Sequence, residues 1–126
     1  MSNIVVQKFG GTSLADTDRF KAVAKIIKDT SKKGKKVVAV VSAMAGETQR
    51  LIDLAKKVQE TPDPREYDAL ISSGEQVSVA LLAMTLRNEK VISKSYTAFQ
   101  LGLRTDNYHG KARINSIDTK NILKDI

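Results

Sequence analysis

Two hydrophobic periods alternate along this chain, one suited to strands and one to helices. Ile4-Val5-Val6-Gln7-Lys8-Phe9 is short, mostly apolar and rich in β-branched residues, which predicts a buried strand. Gly10-Gly11-Thr12-Ser13 breaks it. Phe20, Val23, Ala24 and Ile27 then fall on one face of a helix that starts at the N-cap Asp16, runs to Lys33 and stops at Gly34. Lys36 to Val41 is apolar almost continuously, as expected of a strand in a parallel sheet covered on both faces. A second turn, Ser42 to Glu47, leads into a helix carrying Leu51, Ile52, Leu54, Ala55 and Val58, which Pro62 and Pro64 end. Tyr67, Leu70, Ile71, Gly74, Val77, Leu81 and Met84 predict one long or broken helix from Glu66 to Arg87. Val91 to Ser95 reads as a third strand, Thr97 to Gly110 as irregular, and Ala112-Arg113-Ile114 as a short strand. A last apolar-periodic segment begins at Asp118-Thr119 and takes in Ile122 and Leu123.

Strands alternating with helices of this length predict βαβ units, a parallel sheet and an α/β class. Only three strands are expected, and the last helix has no strand after it, so the expectation is a truncated domain. The length of 126 residues suits one domain, and a hydrophobic fraction of 41% can build a core. No uninterrupted apolar run has the length of a membrane span, and no signal-peptide apolar region opens the chain, so a cytoplasmic protein with no membrane partner is expected. The absence of cysteine excludes disulfides and thiolate metal sites, and no metal ligand set is assigned.

The net charge of +7 raises nucleic acid as a partner. Its placement argues otherwise. Lys21, Lys25, Lys28 and Lys32 form one stripe opposite the apolar face of the first helix, and no aromatic residues are interleaved with them to stack bases. A solvated helix face accounts for the stripe, and no nucleic acid is expected.

Three segments carry residue types suited to chemistry. In Lys8-Phe9-Gly10-Gly11-Thr12-Ser13, paired glycines allow backbone N–H groups close approach to a phosphate, and the lysine brings a compact positive charge. An ordinary tight turn remains open for the same residues. In Ser42-Ala43-Met44-Ala45-Gly46-Glu47-Thr48, Thr48 is either a ligand contact or a helix cap. In Ser72-Ser73-Gly74-Glu75-Gln76, a glycine costing ~1 kcal/mol against alanine interrupts a helical pattern, through close packing or ligand approach. Glu75 either accepts hydrogen bonds from a substrate ammonium or favours the start of a new helical segment. His109, the sole histidine, reads as a loop residue.

Taken in order, these segments resemble one family. Lys8 to Ser13 is similar to the KFGGTS signature that opens aspartokinases, and Val40-Val41-Ser42-Ala43-Met44 followed by Thr48 resembles their VVSAMxxxT segment. Gly74-Glu75-Gln76 matches the family's GEQ element. Ser95 to Gly102 looks like its SxTGxQAG stretch, with Ala98 and Leu101 departing from the usual Gly and Ala. The likeness extends over essentially all of 1–126. It implies an amino-acid-kinase (carbamate-kinase-like) fold, three-layer αβα with a mostly parallel sheet. On this reading 1–126 is the N-terminal, substrate-binding part of a catalytic domain, without the nucleotide-binding half and the regulatory ACT domains.

The implied reaction is transfer of a phosphoryl group from ATP to L-aspartate, giving ADP and 4-phospho-L-aspartate, the first step toward lysine, threonine and methionine. Lys8 would be catalytic. Lys8, Phe9, Gly10, Gly11, Thr12 and Ser13 would bind ATP phosphates, and Ser42, Thr48 and Glu75 would bind aspartate. Mg2+ would be held mainly by the nucleotide. The expected partners are L-aspartate, ATP and further copies in a homo-oligomer of the longer protein. The alternatives are another amino-acid kinase, acting on glutamate, acetylglutamate, carbamate or UMP, and a non-catalytic basic module that binds nucleic acid.

Overall fold

A computed structural model describes residues 3–126. Ile4–Phe9 (β1) and Lys36–Val41 (β2) pair in parallel, with Ile4 opposite Lys36 and Phe9 opposite Val41. The crossover between them is Thr17–Lys32 (α1), preceded by a tight 3-10 turn at Gly11–Leu14. Local chemistry fixes the limits of α1 where the sequence places them. The Asp16 carboxylate accepts the Arg19 N–H at 2.8 Å, and Gly34, at φ +76°, donates its N–H to Ser31 at 2.9 Å.

Glu47–Val58 (α2) and Pro64–Asn88 (α3) follow. Asp63 caps α3 by accepting the N–H groups of Arg65 and Glu66, and Pro64 occupies the first helical position, where its missing N–H costs nothing. α3 is unbroken through Gly74; the hydroxyls of Ser72 and Ser73 bond back to the carbonyls of Ala69 and Leu70. The core joins Leu14, Phe20, Val23, Ala24 and Ile27 to Leu82 and Leu86, so α1 and α3 cover the same face of the sheet. Phe9, Val37, Ala39 and Val41 pack against this cluster from the strands. Val6 and Val40 point to the other face and are exposed, so among the described residues only one face of the sheet is covered.

The expected α/β class with a parallel sheet holds, with corrections in the last third. Val91 to Ser95 is not a strand. The Val91 N–H closes the end of α3 on Leu86, the Ser93 hydroxyl bonds to Ala83, Ile92 is 97% exposed, and no strand among the described residues pairs with the segment. The short strand expected at Ala112–Ile114 lies instead at Ile114–Ser116 (β4), antiparallel to Arg104–Thr105 (β3). Thr97 to Leu103 is a turn, as expected, in which Leu101, Gly102 and Leu103 donate to Thr97, Phe99 and Ala98. Lys120–Asp125 (α4) is the last helix among the described residues, its Asp125 held by Lys94 Nζ at 2.5 Å and by the Tyr96 hydroxyl.

By length and composition alone α3 could cross a membrane. It packs here as a core helix beside α1 and α2. Glu75 and Gln76 stand at its middle, where a lipid environment would penalise a charge by about 2.5–3.5 kcal/mol or more.

Candidate functional site

The three segments singled out in the sequence converge on one small residue, Ala43, which is 4% exposed. β1 and β2 are parallel and in register, so their carboxyl ends deliver the Gly10–Leu14 turn and the Ser42–Gly46 turn side by side. The Ser42 N–H extends the pairing by donating to Phe9 O at 3.2 Å. A Cβ added at Gly11 would lie 3.1 Å from Ala43 O and 3.7 Å from Ala45 Cα, so the two turns touch through bare backbone. On the opposite side, a Cβ at Gly74 would lie 3.0 Å from Ala43 Cβ and 3.4 Å from Leu51 Cδ1. Gly74 thus lets α3 press against the second turn and α2, which accounts for a glycine inside a helix.

Gly10 is different. Its φ of −78° and ψ of 173° suit any residue, and nothing lies within 4 Å of where its side chain would be. Neither the backbone nor the packing of the described residues calls for glycine there. Among the described residues the approach to the main chain at Gly10 is open.

Side chains sort around this junction by strand and helix parity. Lys8 shares the uncovered face of the sheet with Val6, stands opposite Val40 in the register and is exposed. The Phe9 ring points the other way and packs against the core, leaving the main chain as what Phe9 offers a ligand. Thr12 is exposed; Ser13 is half-buried, and its N–H donates to Gly10 O at 3.1 Å. Ser42 and Thr48 are half-buried, and Glu75 is exposed. No hydrogen bond or ion pair joins Lys8, Ser42, Thr48 or Glu75 to one another.

Both capping readings fall away. The N-cap of α2 is Gly46, at φ +79°, and no side chain caps that helix. Thr48 stands within its first turn. Glu75 lies in mid-helix, where the N–H groups are already bonded along the helix.

One feature escaped the sequence reading. Glu47, whose Cγ is 3.5 Å from the Cβ position of Gly74, is gripped in a two-point contact by Arg50, with Nε to Oε2 at 2.8 Å and Nη2 to Oε1 at 2.7 Å. The guanidinium hydrogen bond holds the Glu47 carboxyl below its ordinary pKa. The i,i+3 spacing of the pair on α2 was the available signal. Two shallow grooves lie away from the junction. One, of about 370 Å³, is lined by Lys94, Tyr96 and Asp125; the other, of about 420 Å³, runs along the α1 lysines beside Glu89. His109 is a loop residue, as expected, 3.5 Å from Asp68, which also accepts the Gly110 N–H.

Residues 3–125 match the sequence profile of the Amino acid kinase family. Among curated proteins, an aspartate kinase of Stutzerimonas stutzeri is 51% identical over 98% of this chain, and aspartokinase 2 of Bacillus subtilis is 44% identical over 92%. This chain spans 30% and 28% of those two relatives. An aspartate kinase structure from Synechocystis is 50% identical, with a TM-score of 0.66 over 68% of this chain and 15% of that one. The structure of E. coli aspartokinase III in complex with aspartate and ADP superposes with a TM-score of 0.74 over 89% of this chain and 35% of that one. At 24% identity that likeness speaks to the fold alone.

Proposed function

Because the chain belongs to the amino acid kinase family, we propose that it contributes the substrate-binding part of an ATP-dependent aspartate kinase. The observation that carries this reading is the meeting of the two strand-end turns and the Gly74-Glu75 segment around Ala43. That meeting supports a reading in which the glycine-rich turn receives phosphates and the α3 segment that carries the exposed Glu75 receives the acceptor. The names of the curated aspartate kinases that the chain resembles support aspartate as the acceptor.

In the proposed reaction a β-carboxylate oxygen of L-aspartate attacks the γ-phosphorus of ATP. The bond from that phosphorus to the bridging oxygen breaks, and ADP leaves. Magnesium arrives with the nucleotide as part of the substrate. Positioning and charge stabilisation supply most of the rate in such transfers. Lys8 Nζ is unpaired among the described residues and able to meet the negative charge of the transferring group. Main-chain N–H groups at Gly10, Gly11 and Thr12, with the Ser13 hydroxyl, would cradle phosphates. Glu75 would accept from the aspartate ammonium, and Ser42 and Thr48 would donate hydroxyl hydrogens to its carboxylates. Residues 1–126 correspond in this reading to the N-terminal part of the catalytic domain in a cytoplasmic, homo-oligomeric enzyme, with adenine held by parts of the longer relatives outside this segment.

The test is ADP release by the polypeptide of the complete reading frame, with aspartate, glutamate, acetylglutamate, carbamate and UMP offered in turn. Release that depends on aspartate alone supports the reading; dependence on another acceptor, or on none, overturns it. The 126-residue chain assayed by itself is expected to give no turnover.

A further inference from the structure

The Glu47–Arg50 pair on α2 stands beside the junction with no part yet in the proposed reaction. Glu47 is the first residue of α2, and the N-cap before it, Gly46, has no side chain to cap the helix. An acid in the first turn favours the positive end of a helix, which accounts for a carboxylate at this place. The place is also hazardous. The Glu47 side chain is 24% exposed, and its Cγ lies 3.5 Å from the Cβ position of Gly74, the residue before Glu75. A loose carboxylate there would repel a dicarboxylate acceptor and would compete with Glu75 for its ammonium.

The geometry of α2 keeps that carboxylate away. Glu47 and Leu51 both reach the Cβ position of Gly74, so together they mark the direction in which α2 meets α3. At about 100° per residue, Thr48 then projects roughly 80° to one side of that direction and Arg50 roughly 80° to the other. The two-point contact from Arg50, with Nε to Oε2 at 2.8 Å and Nη2 to Oε1 at 2.7 Å, therefore draws the Glu47 carboxylate to the side of α2 away from Thr48. Both carboxylate oxygens are engaged by one planar fork, which a lysine ammonium cannot reproduce. The Arg50 side chain is 61% exposed, and an ion pair so open to water contributes little to stability. We propose that Arg50 is a positioning residue for the acceptor: it holds the Glu47 carboxylate clear of the acceptor subsite, so that Glu75 alone meets the ammonium of an amino dicarboxylate. Arg50 itself touches no ligand in this scheme. The assignment rests on the proposed aspartate kinase reaction and adds to it a determinant of acceptor affinity.

Steady-state kinetics and thermal melts on the polypeptide of the complete reading frame test it. Arg50→Met keeps helix propensity and an apolar stem but frees Glu47, and should raise the aspartate KM about tenfold, as a like charge beside a binding site does. The ATP KM should move far less, and the melting temperature should hold. Adding Glu47→Gln to Arg50→Met removes the freed charge and should restore the wild-type aspartate KM. Arg50→Lys keeps the charge, loses the fork and should fall between. If Arg50→Met fails to fold, Arg50→Lys decides: a raised aspartate KM supports the proposal and a wild-type value overturns it. An Arg50→Met enzyme with an unaltered aspartate KM overturns it too, and leaves the pair a purely structural contact. So does a double variant as weak as Arg50→Met, which would mean that Arg50 meets the ligand directly. Either result with normal wild-type turnover ends this inference alone. A wild-type polypeptide that releases no ADP on addition of aspartate would overturn the proposed function, and this inference with it.

Discussion

Lys8 and Glu75 are both exposed and both without ion-pair partners among the described residues, so neither is there to hold the fold together. Their expected effects therefore separate by substrate. In the polypeptide of the complete reading frame, Lys8→Ala should lower kcat by roughly 10²–10³, the scale of losing one group that stabilises transition-state charge. An unchanged kcat with a raised ATP KM would move Lys8 to ground-state binding. Glu75→Gln should raise the aspartate KM about ten- to a hundredfold, from a lost charged hydrogen bond of roughly 1.5–3 kcal/mol. The ATP KM and the melting temperature should hold steady, and an intact aspartate KM would remove Glu75 from the substrate. The sequence draws attention to these two residues because lone charges beside glycines in apolar segments need a reason. It draws none to Ala43. Its importance comes from what three separate segments leave room for, and no single segment shows that.

At the scale of elements, two glycines with opposite settings offer a sharper comparison. Gly74→Ala gains ~1 kcal/mol of helix propensity. It also forces a methyl group to 3.0 Å from Ala43 Cβ, and overpacking of this kind costs typically 1–3 kcal/mol. Overpacking should win, lowering both the melting temperature and kcat. Gly10→Ala meets no atom within 4 Å and needs no unusual backbone angle, so it should stabilise the fold by about 0.4–1 kcal/mol. It should still raise the ATP KM, because the new methyl group occupies the phosphate approach. Thermal melts with steady-state kinetics check both, and a Gly10→Ala enzyme with an unaltered ATP KM would return that turn to plain structure.

The elements themselves were legible where caps and periodicity agreed, as at Asp16, Gly34 and the apolar face of α1. Val91–Ser95 misled because a β-branched run becomes a strand only beside a partner, and pairing is not written in the run. β3 left no trace because Arg104–Thr105 is too short to show a period.

Over the whole molecule, charge and apolar surface are distributed in a way that composition could not reveal. The α1 lysines are solvated, and two of them are engaged locally, Lys21 with Asp18 and Lys28 with Glu89. The apolar continuity of β2 predicted cover on both sides of the sheet, whereas Val6 and Val40 lie open among the described residues. The curated relatives are more than three times as long as the part this chain matches. The central claim is that the junction around Ala43 serves phosphoryl transfer to a carboxylate. Trapping the product tests that most directly. Hydroxylamine converts an acyl phosphate to a hydroxamate, so the polypeptide of the complete reading frame, given ATP, magnesium and aspartate, should yield β-aspartyl hydroxamate in equal amount to ADP. ADP without hydroxamate would mean simple ATP hydrolysis and would contradict the account.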